Sequence, residues 1–207
     1  MSQLLALNTE YGVILAADRR VEVREGHQIH EEERVKLFPM GTVAAMATSG
    51  AAVCIPMTEQ LSNFIGEQEL NFEVVAPYVL EQMQREYDKF IDMAGDWFLR
   101  NPEAYRLSYL LIGGVNAGGE PIFEFYASEA HGESYYALPT HEVLTAPRRL
   151  GLETRLRAAN ARSASLEEIL EIIEAGLSLV ASKENAVGNT FDLVIINKEG
   201  ITRLKIG

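Results

Sequence analysis

Apolar and polar positions along the chain change period several times, and each change marks an element. Residues 4–7 form a short apolar run and residues 13–17 a second, and Glu10, Tyr11 and Gly12 between them supply turn chemistry, so the pair predicts a hairpin. Residues 35–38 and 43–47 flank Pro39, Met40 and Gly41 and predict another. From Met57 the period becomes helical, with Leu61, Phe64 and Ile65 on one face and Gly66 placed to cap the end. Val75, Val79, Met83, Tyr87, Phe90 and Ile91 recur at three- and four-residue steps and predict a second, longer helix. Strands return over residues 107–115 and 122–126, joined by Asn116, Ala117, Gly118, Gly119 and Glu120, and again over 135–138. Ser165-Leu166-Glu167-Glu168 reads as a capping box, in which the serine hydroxyl accepts from the amide three residues on. It opens a helix whose buried stripe is Leu166, Ile169, Leu170, Ile173, Leu177 and Val180. Residues 191–196 and 201–206, on either side of Lys198, Glu199 and Gly200, make the last hairpin.

Strands therefore come in adjacent pairs separated by pairs of helices, not in strict alternation with them. That order argues against a doubly wound parallel sheet and for antiparallel sheets covered by helices, an α+β class. Runs that are apolar throughout, such as residues 13–17, fit strands buried on both faces, as when two sheets stack and each carries helices outside. The 207 residues contain neither a linker nor an internal repeat, so a single domain over residues 1–207 is expected.

Composition narrows the function classes. The net charge of −12 argues against nucleic-acid binding by charge, which needs a basic surface. Glu31, Glu32 and Glu33, and later Glu167 and Glu168, read as solvated faces. No apolar run reaches the roughly 18 residues of a membrane span, and the first residues lack the basic segment of a signal peptide. The expectation is a chain that begins within a residue of Met1 and stays in the cytoplasm, with no membrane partner. Cys54 is the single cysteine, set among alanines, valine and isoleucine, so it reads as a buried, inert thiol in a reducing compartment. His27 and His30 fall in a polar stretch read as a loop, His131 and His141 lie far off, and no glycine-rich phosphate loop occurs, so neither metal nor cofactor is expected. Trp97 and Phe98 read as packing at a helix end.

Gly12-Val13-Ile14-Leu15-Ala16-Ala17-Asp18-Arg19-Arg20 resembles the signature strand of proteasome β subunits, which runs from a glycine through apolar residues to Ala-Ala-Asp-x-Arg. Val35-Lys36-Leu37-Phe38-Pro39 is similar to that family's lysine strand, residues 43–50 to its next strand and turn, and Leu110 to Gly114 with Gly119 to Phe123 to its later hairpin. The resemblance follows the element order of nearly the whole chain and is dense over residues 12–50. It implies a four-layer αββα sandwich of two antiparallel sheets, the N-terminal-nucleophile hydrolase fold.

The resemblance also implies a chemistry. The family's nucleophile is an N-terminal threonine, and its place falls on Ser2. Met1 precedes a small residue, so its removal by methionine aminopeptidase is expected, leaving a hydroxyl and a free α-amine on one residue. A serine hydroxyl is a weak nucleophile until a base takes its proton, and an α-amine with a pKa of about 7.7–8.0 is partly neutral near pH 7. Lys36 matches the family's active-site lysine, Asp18 the carboxylate that orients it, and the backbone amide of Ser49 or Gly50 its oxyanion donor. The substrate would be a polypeptide or other amide, and the partners other copies of the chain in a closed ring of at least six subunits, with an ATPase partner left open. Besides serine in the place of threonine, two features depart from the pattern. Where the family has an aspartate and, three residues on, a serine before a glycine, this chain has Glu184-Asn185-Ala186-Val187-Gly188. Glu184 by itself reads as a surface or helix-end acid. Arg149-Leu150-Gly151-Leu152 stands near the place of the family's Gly-Ser-Gly-Ser stretch. Three readings remain open at this point: a peptidase using Ser2, a catalytically silent ring subunit or scaffold, and an amidase acting on a small substrate.

Overall fold

The computed structural model describes residues 2–25, 28–101, 107–128 and 134–207; His27 and His131 lie outside them, as does Met1. Among the described residues the chain is α+β, with four helices and three antiparallel sheets. The first hairpin forms as the pattern predicts, from β1 (Leu4–Thr9) and β2 (Gly12–Asp18), with Leu4 opposite Ala17 and Leu7 opposite Ile14. A small ribbon follows, β3 (Arg20–Glu25) with β4 (Gln28–Glu33). Then come β5 (Leu37–Pro39), β6 (Ala44–Gly50), α1 (Cys54–Ile65) and α2 (Phe72–Arg100). The second half of the chain runs β7 (Ser108–Val115), β8 (Pro121–Ser128), β9 (Tyr135–Leu138), β10 (Val143–Ala146), α3 (Leu150–Ala161), α4 (Leu166–Lys183), β11 (Phe191–Asn197) and β12 (Gly200–Ile206).

One five-stranded sheet has the order β10-β1-β2-β11-β12, the other β5-β6-β7-β8-β9. Because side chains alternate along a strand, each central strand serves two clusters. Leu5, Leu7, Ile14 and Ala16 join Leu193 and Ile195 under Leu152, Leu156, Ile169 and Ile173 of α3 and α4. Their neighbours Leu4, Ala6, Val13, Leu15 and Ala17 face the other way and meet Ala45, Ala47, Leu111 and Phe125 of the second sheet. On that sheet Ala44, Met46, Leu110 and Ile112 pack with Val75, Val79, Met83 and Tyr87 of α2. The two sheets come close enough at Gly113 of β7 that a Cβ there would lie 3.0 Å from Leu15 Cδ2, which explains a glycine in a strand interior.

The structure departs from the sequence reading in several places. His30 lies in β4, not in a loop, and pairs with Glu32 at 3.1 Å. Val21 and Val23 alternate with charged residues in a period of two, but the density of charge hid the strand. Residues 35 and 36 precede β5, so Lys36 is not inside a strand; its side chain turns inward toward a carboxylate instead of following the pleat. Helix α1 starts at Cys54, three residues before Met57, because Pro56 falls in the first turn, where its missing N–H would have had no helical acceptor. The strand β10 and the helix α3 were not read from the sequence at all. Ser165 caps α4 by accepting from the Glu168 amide at 3.2 Å, while the Glu168 side chain pairs with Arg162 and does not close the box. Trp97 and Phe98 meet edge to face in the last turns of α2, with ring centroids 5.2 Å apart.

Candidate active site

Two strand ends and one loop deliver the three side chains singled out in the sequence to one place. Ser2 leads into β1, Asp18 closes β2, and Lys36 sits just ahead of β5. The Lys36 ammonium donates to Ser2 Oγ at 2.7 Å and to Asp18 Oδ1 at 3.2 Å, and also to the Arg20 carbonyl. Lys36 is 2% exposed and Asp18 0%, while Ser2 is half-buried, so the hydroxyl is the open side of the cluster.

Asp18 is held more by backbone than by lysine. The Gln3 amide donates to Oδ1 at 2.8 Å, and the amides of Arg20 and Gly188 donate to Oδ2 at 3.2 and 3.1 Å. These backbone donors fix the carboxylate in place, and the carboxylate supplies the counter-charge that a buried ammonium requires. Burial still holds Lys36 below its ordinary pKa of 10.5; the charge of Asp18 and the hydrogen bond to it oppose that shift. Lys36 is thus a cation fixed against a hydroxyl, with its proton held less firmly than in water.

Ser49 and Gly50 close β6 beside this cluster. The Thr48 amide donates to the Lys36 carbonyl at 2.9 Å, so the two residues that follow are the next backbone past the lysine. Ser49 is half-buried and Gly50 exposed, with φ +94° at the turn.

Residues 184–188 line the C-terminal side of the site. Val187 is 3% exposed and packed in the cluster beneath α3 and α4, so its side chain contributes packing only. Its neighbour Gly188 contributes the amide on Asp18. Glu184 follows the last residue of α4, and the Arg149 guanidinium grips both of its oxygens, one contact at 2.6 Å; that grip, before any other influence, holds the carboxyl below the usual range. Arg149 Nε also donates to Gln3 Oε1 at 2.8 Å. Neither Gln3 nor Arg149 was singled out from the sequence. A polar residue just ahead of the apolar run of β1 was a usable signal for Gln3. Nothing local marked Arg149, whose partners lie 146 and 35 residues away.

Cys54 is fully buried, with its sulfur 3.0 Å from Ser108 Oγ, and burial pushes its thiol up; it takes no part in the cluster around Ser2. Among the described residues no three His, Cys, Asp or Glu side chains gather as metal ligands, and no helix is long and apolar enough to cross a membrane. Neither a protein-family model nor a curated protein matches the chain. The case for function therefore rests on the residues and their geometry.

Proposed function

We propose that this chain is an N-terminal-nucleophile hydrolase of the proteasome β-subunit type, acting on polypeptide substrates and assembling with copies of itself into a closed ring. The proposal includes the fold: α3 and α4, the two five-stranded sheets, then α1 and α2, stacked as a four-layer αββα sandwich. The observation that carries the functional reading is the Lys36 ammonium 2.7 Å from Ser2 Oγ and 3.2 Å from a buried carboxylate.

In this reading Met1 is removed and the neutral α-amine of Ser2 takes the proton of its own hydroxyl, directly or through one water. The Oγ attacks the carbonyl carbon of a peptide bond, and Lys36 stabilises the negative charge that passes through Oγ. An amide at Ser49 or Gly50 receives the charge that develops on the carbonyl oxygen. The C–N bond then breaks, the α-ammonium returns its proton to the leaving amine, and an ester to Ser2 remains. Water, deprotonated by the same amine, cleaves the ester and regenerates Ser2.

A second reading, a ring subunit without activity, is favoured by the burial of Val187 in the core, since no hydroxyl is left there to orient the amine. Intact mass of the purified chain and turnover of a fluorogenic peptide separate the two. The expected result is a chain lighter by one methionine that is active as wild type and as Ser2→Thr and inactive as Ser2→Ala. Retained Met1, or an active Ser2→Ala protein, would overturn the hydrolase reading.

A further inference from the structure

We infer that Arg149 is a positioning residue for Ser2, acting through Gln3. This inference rests on the proposed role of Ser2 and deepens it. Gln3 is 0% exposed, and its hydrogen-bonding groups are engaged on every side. Its amide donates to Asp18 Oδ1 at 2.8 Å and its carbonyl accepts from the Asp18 amide at 3.2 Å. Its side-chain nitrogen donates to the carbonyls of Leu4 and Pro147 at 3.0 and 3.1 Å. That leaves Oε1, which accepts from Arg149 Nε at 2.8 Å. A residue pinned this way fixes the peptide unit on its N-terminal side, and Ser2 is that neighbour.

Arg149 is itself held from both ends. Its amide donates to Thr145 Oγ1 at 2.6 Å, and the Thr145 hydroxyl donates to the buried carboxylate of Glu153 at 2.8 Å. At the far end of the side chain the two terminal nitrogens take both oxygens of Glu184. The guanidinium thus spans from Gln3 to Glu184, using its Nε for one and its fork for the other. A lysine carries the same charge but has no second face with which to hold both. The result is a bridge from the start of α3 and the end of α4 to the segment that carries Ser2.

A nucleophile displaced by about 1 Å loses on the order of 10²-fold in rate, while the binding of substrate residues elsewhere in a cleft is untouched. The expected result for Arg149→Ala is therefore a fall in kcat of roughly 10- to 100-fold with little change in KM. The effect should be much smaller in a Gln3→Ala background, because the two side chains act as one unit. Hydrogen exchange of the Gln3 amide gives a readout independent of turnover: it should accelerate by roughly tenfold or more in Arg149→Ala, with exchange in β11 and α2 unchanged. Arg149→Lys serves as the second variant, should Arg149→Ala fold poorly, and should also accelerate Gln3 exchange.

The outcomes divide cleanly. If the wild type turns nothing over but Arg149→Ala still loosens Gln3, the positioning role stands and the hydrolase reading falls. If either folded Arg149 variant exchanges Gln3 at the wild-type rate, or Arg149→Ala retains full kcat in an active enzyme, the inference is overturned.

Discussion

Asp18 and Lys36 form a buried ion pair, yet their removal should have very different costs. Asp18→Asn leaves the Lys36 ammonium, 2% exposed, without a counter-charge, among neutral acceptors only. Stripping one partner from a buried pair typically costs ~3–5 kcal/mol. The new side-chain amide also has to face donors. If its oxygen stays toward Gln3 and Lys36, its NH2 points at the amides of Arg20 and Gly188, and each of these part-buried donors loses an acceptor, at ~1 kcal/mol or more apiece. The total, about 5 kcal/mol or more, is a large share of the ~5–15 kcal/mol that holds an ordinary domain folded. Lys36→Met leaves Asp18 with its three backbone donors and removes the cost of burying an ammonium, so about 1.5–3 kcal/mol is expected, the net worth of a charged hydrogen bond. The pH dependence follows. Because burial holds Lys36 below 10.5, the folded chain gives up this proton before the unfolded chain does. The unfolded state then binds more protons between the lowered value and 10.5, and the contribution of this group to stability rises with pH through that window. Urea unfolding followed by far-ultraviolet circular dichroism, at pH 7 and again at pH 9.5, measures both effects. The reasoning is refuted if Asp18→Asn is no less stable than Lys36→Met, or if Lys36→Met keeps the rise toward alkaline pH in full.

Gly50→Ala should be disruptive where Gly119→Ala is not. Both glycines have positive φ, +94° and +84°, but a Cβ at Gly50 would lie 2.1 Å from the Leu107 carbonyl oxygen, whereas nothing lies within 4 Å of one at Gly119. The left-handed conformation alone costs ~1–2 kcal/mol, so thermal denaturation should show Gly50→Ala worse than Gly119→Ala by at least ~2 kcal/mol, and equal losses would count against the turn geometry beside Lys36. Cys54, fully buried and with its thiol pushed up by burial, should not react with a thiol-disulfide reagent in the native protein and should titrate as one equivalent in guanidinium. Stoichiometric labelling of the native protein within minutes would contradict its placement.

Much of the fold is legible because most elements carry their own period. Residues 4–7 and 13–17 are apolar on both faces, and the structure gives each face a cluster to enter. The stripe from Leu166 to Val180 is helical at every step, and Ile169, Ile173 and Leu177 are its most buried members. Other elements were hidden by what they carry. Arginine and glutamate dominate β3 and β4, and a two-stranded ribbon needs few apolar anchors. Helix α3 buries Leu152, Leu156 and Ala159 at helical spacing, but its arginines and asparagine dilute the signal. The site divides the same way. Asp18 and Lys36 were legible only through the resemblance of the stretches that carry them, since no local period marks either. Arg149 was not, because its meaning comes from partners 146 and 35 residues away that no local pattern encodes.

The same packing that makes the first hairpin legible also sets the geometry of the cluster. Leu4 opposite Ala17 places Gln3 across from Asp18, so the Gln3 amide meets Oδ1 and the Asp18 amide meets the Gln3 carbonyl. A slip of one residue would exchange the two faces of β1, sending Leu5 and Leu7 toward the second sheet and Leu4 and Ala6 toward α3 and α4. The second sheet offers Ala45 and Ala47 there, and Leu15 of the first sheet already comes within 3.0 Å of where a Cβ on Gly113 would sit, so larger side chains have no room to enter. Register is therefore enforced by volume on one face and by the helices on the other. Asp18 is the last residue of β2 and Ser2 stands two residues before β1, so neither has more than a peptide or two of free chain in which to wander. Lys36 lacks a strand of its own and is fixed instead by what it donates to: the Ser2 hydroxyl on one segment, and the Asp18 carboxylate and Arg20 carbonyl, two residues apart, on another. A cation held by three acceptors from two segments has one position that satisfies them all, which is the condition a preorganised electrostatic group must meet to act on a charge as it develops.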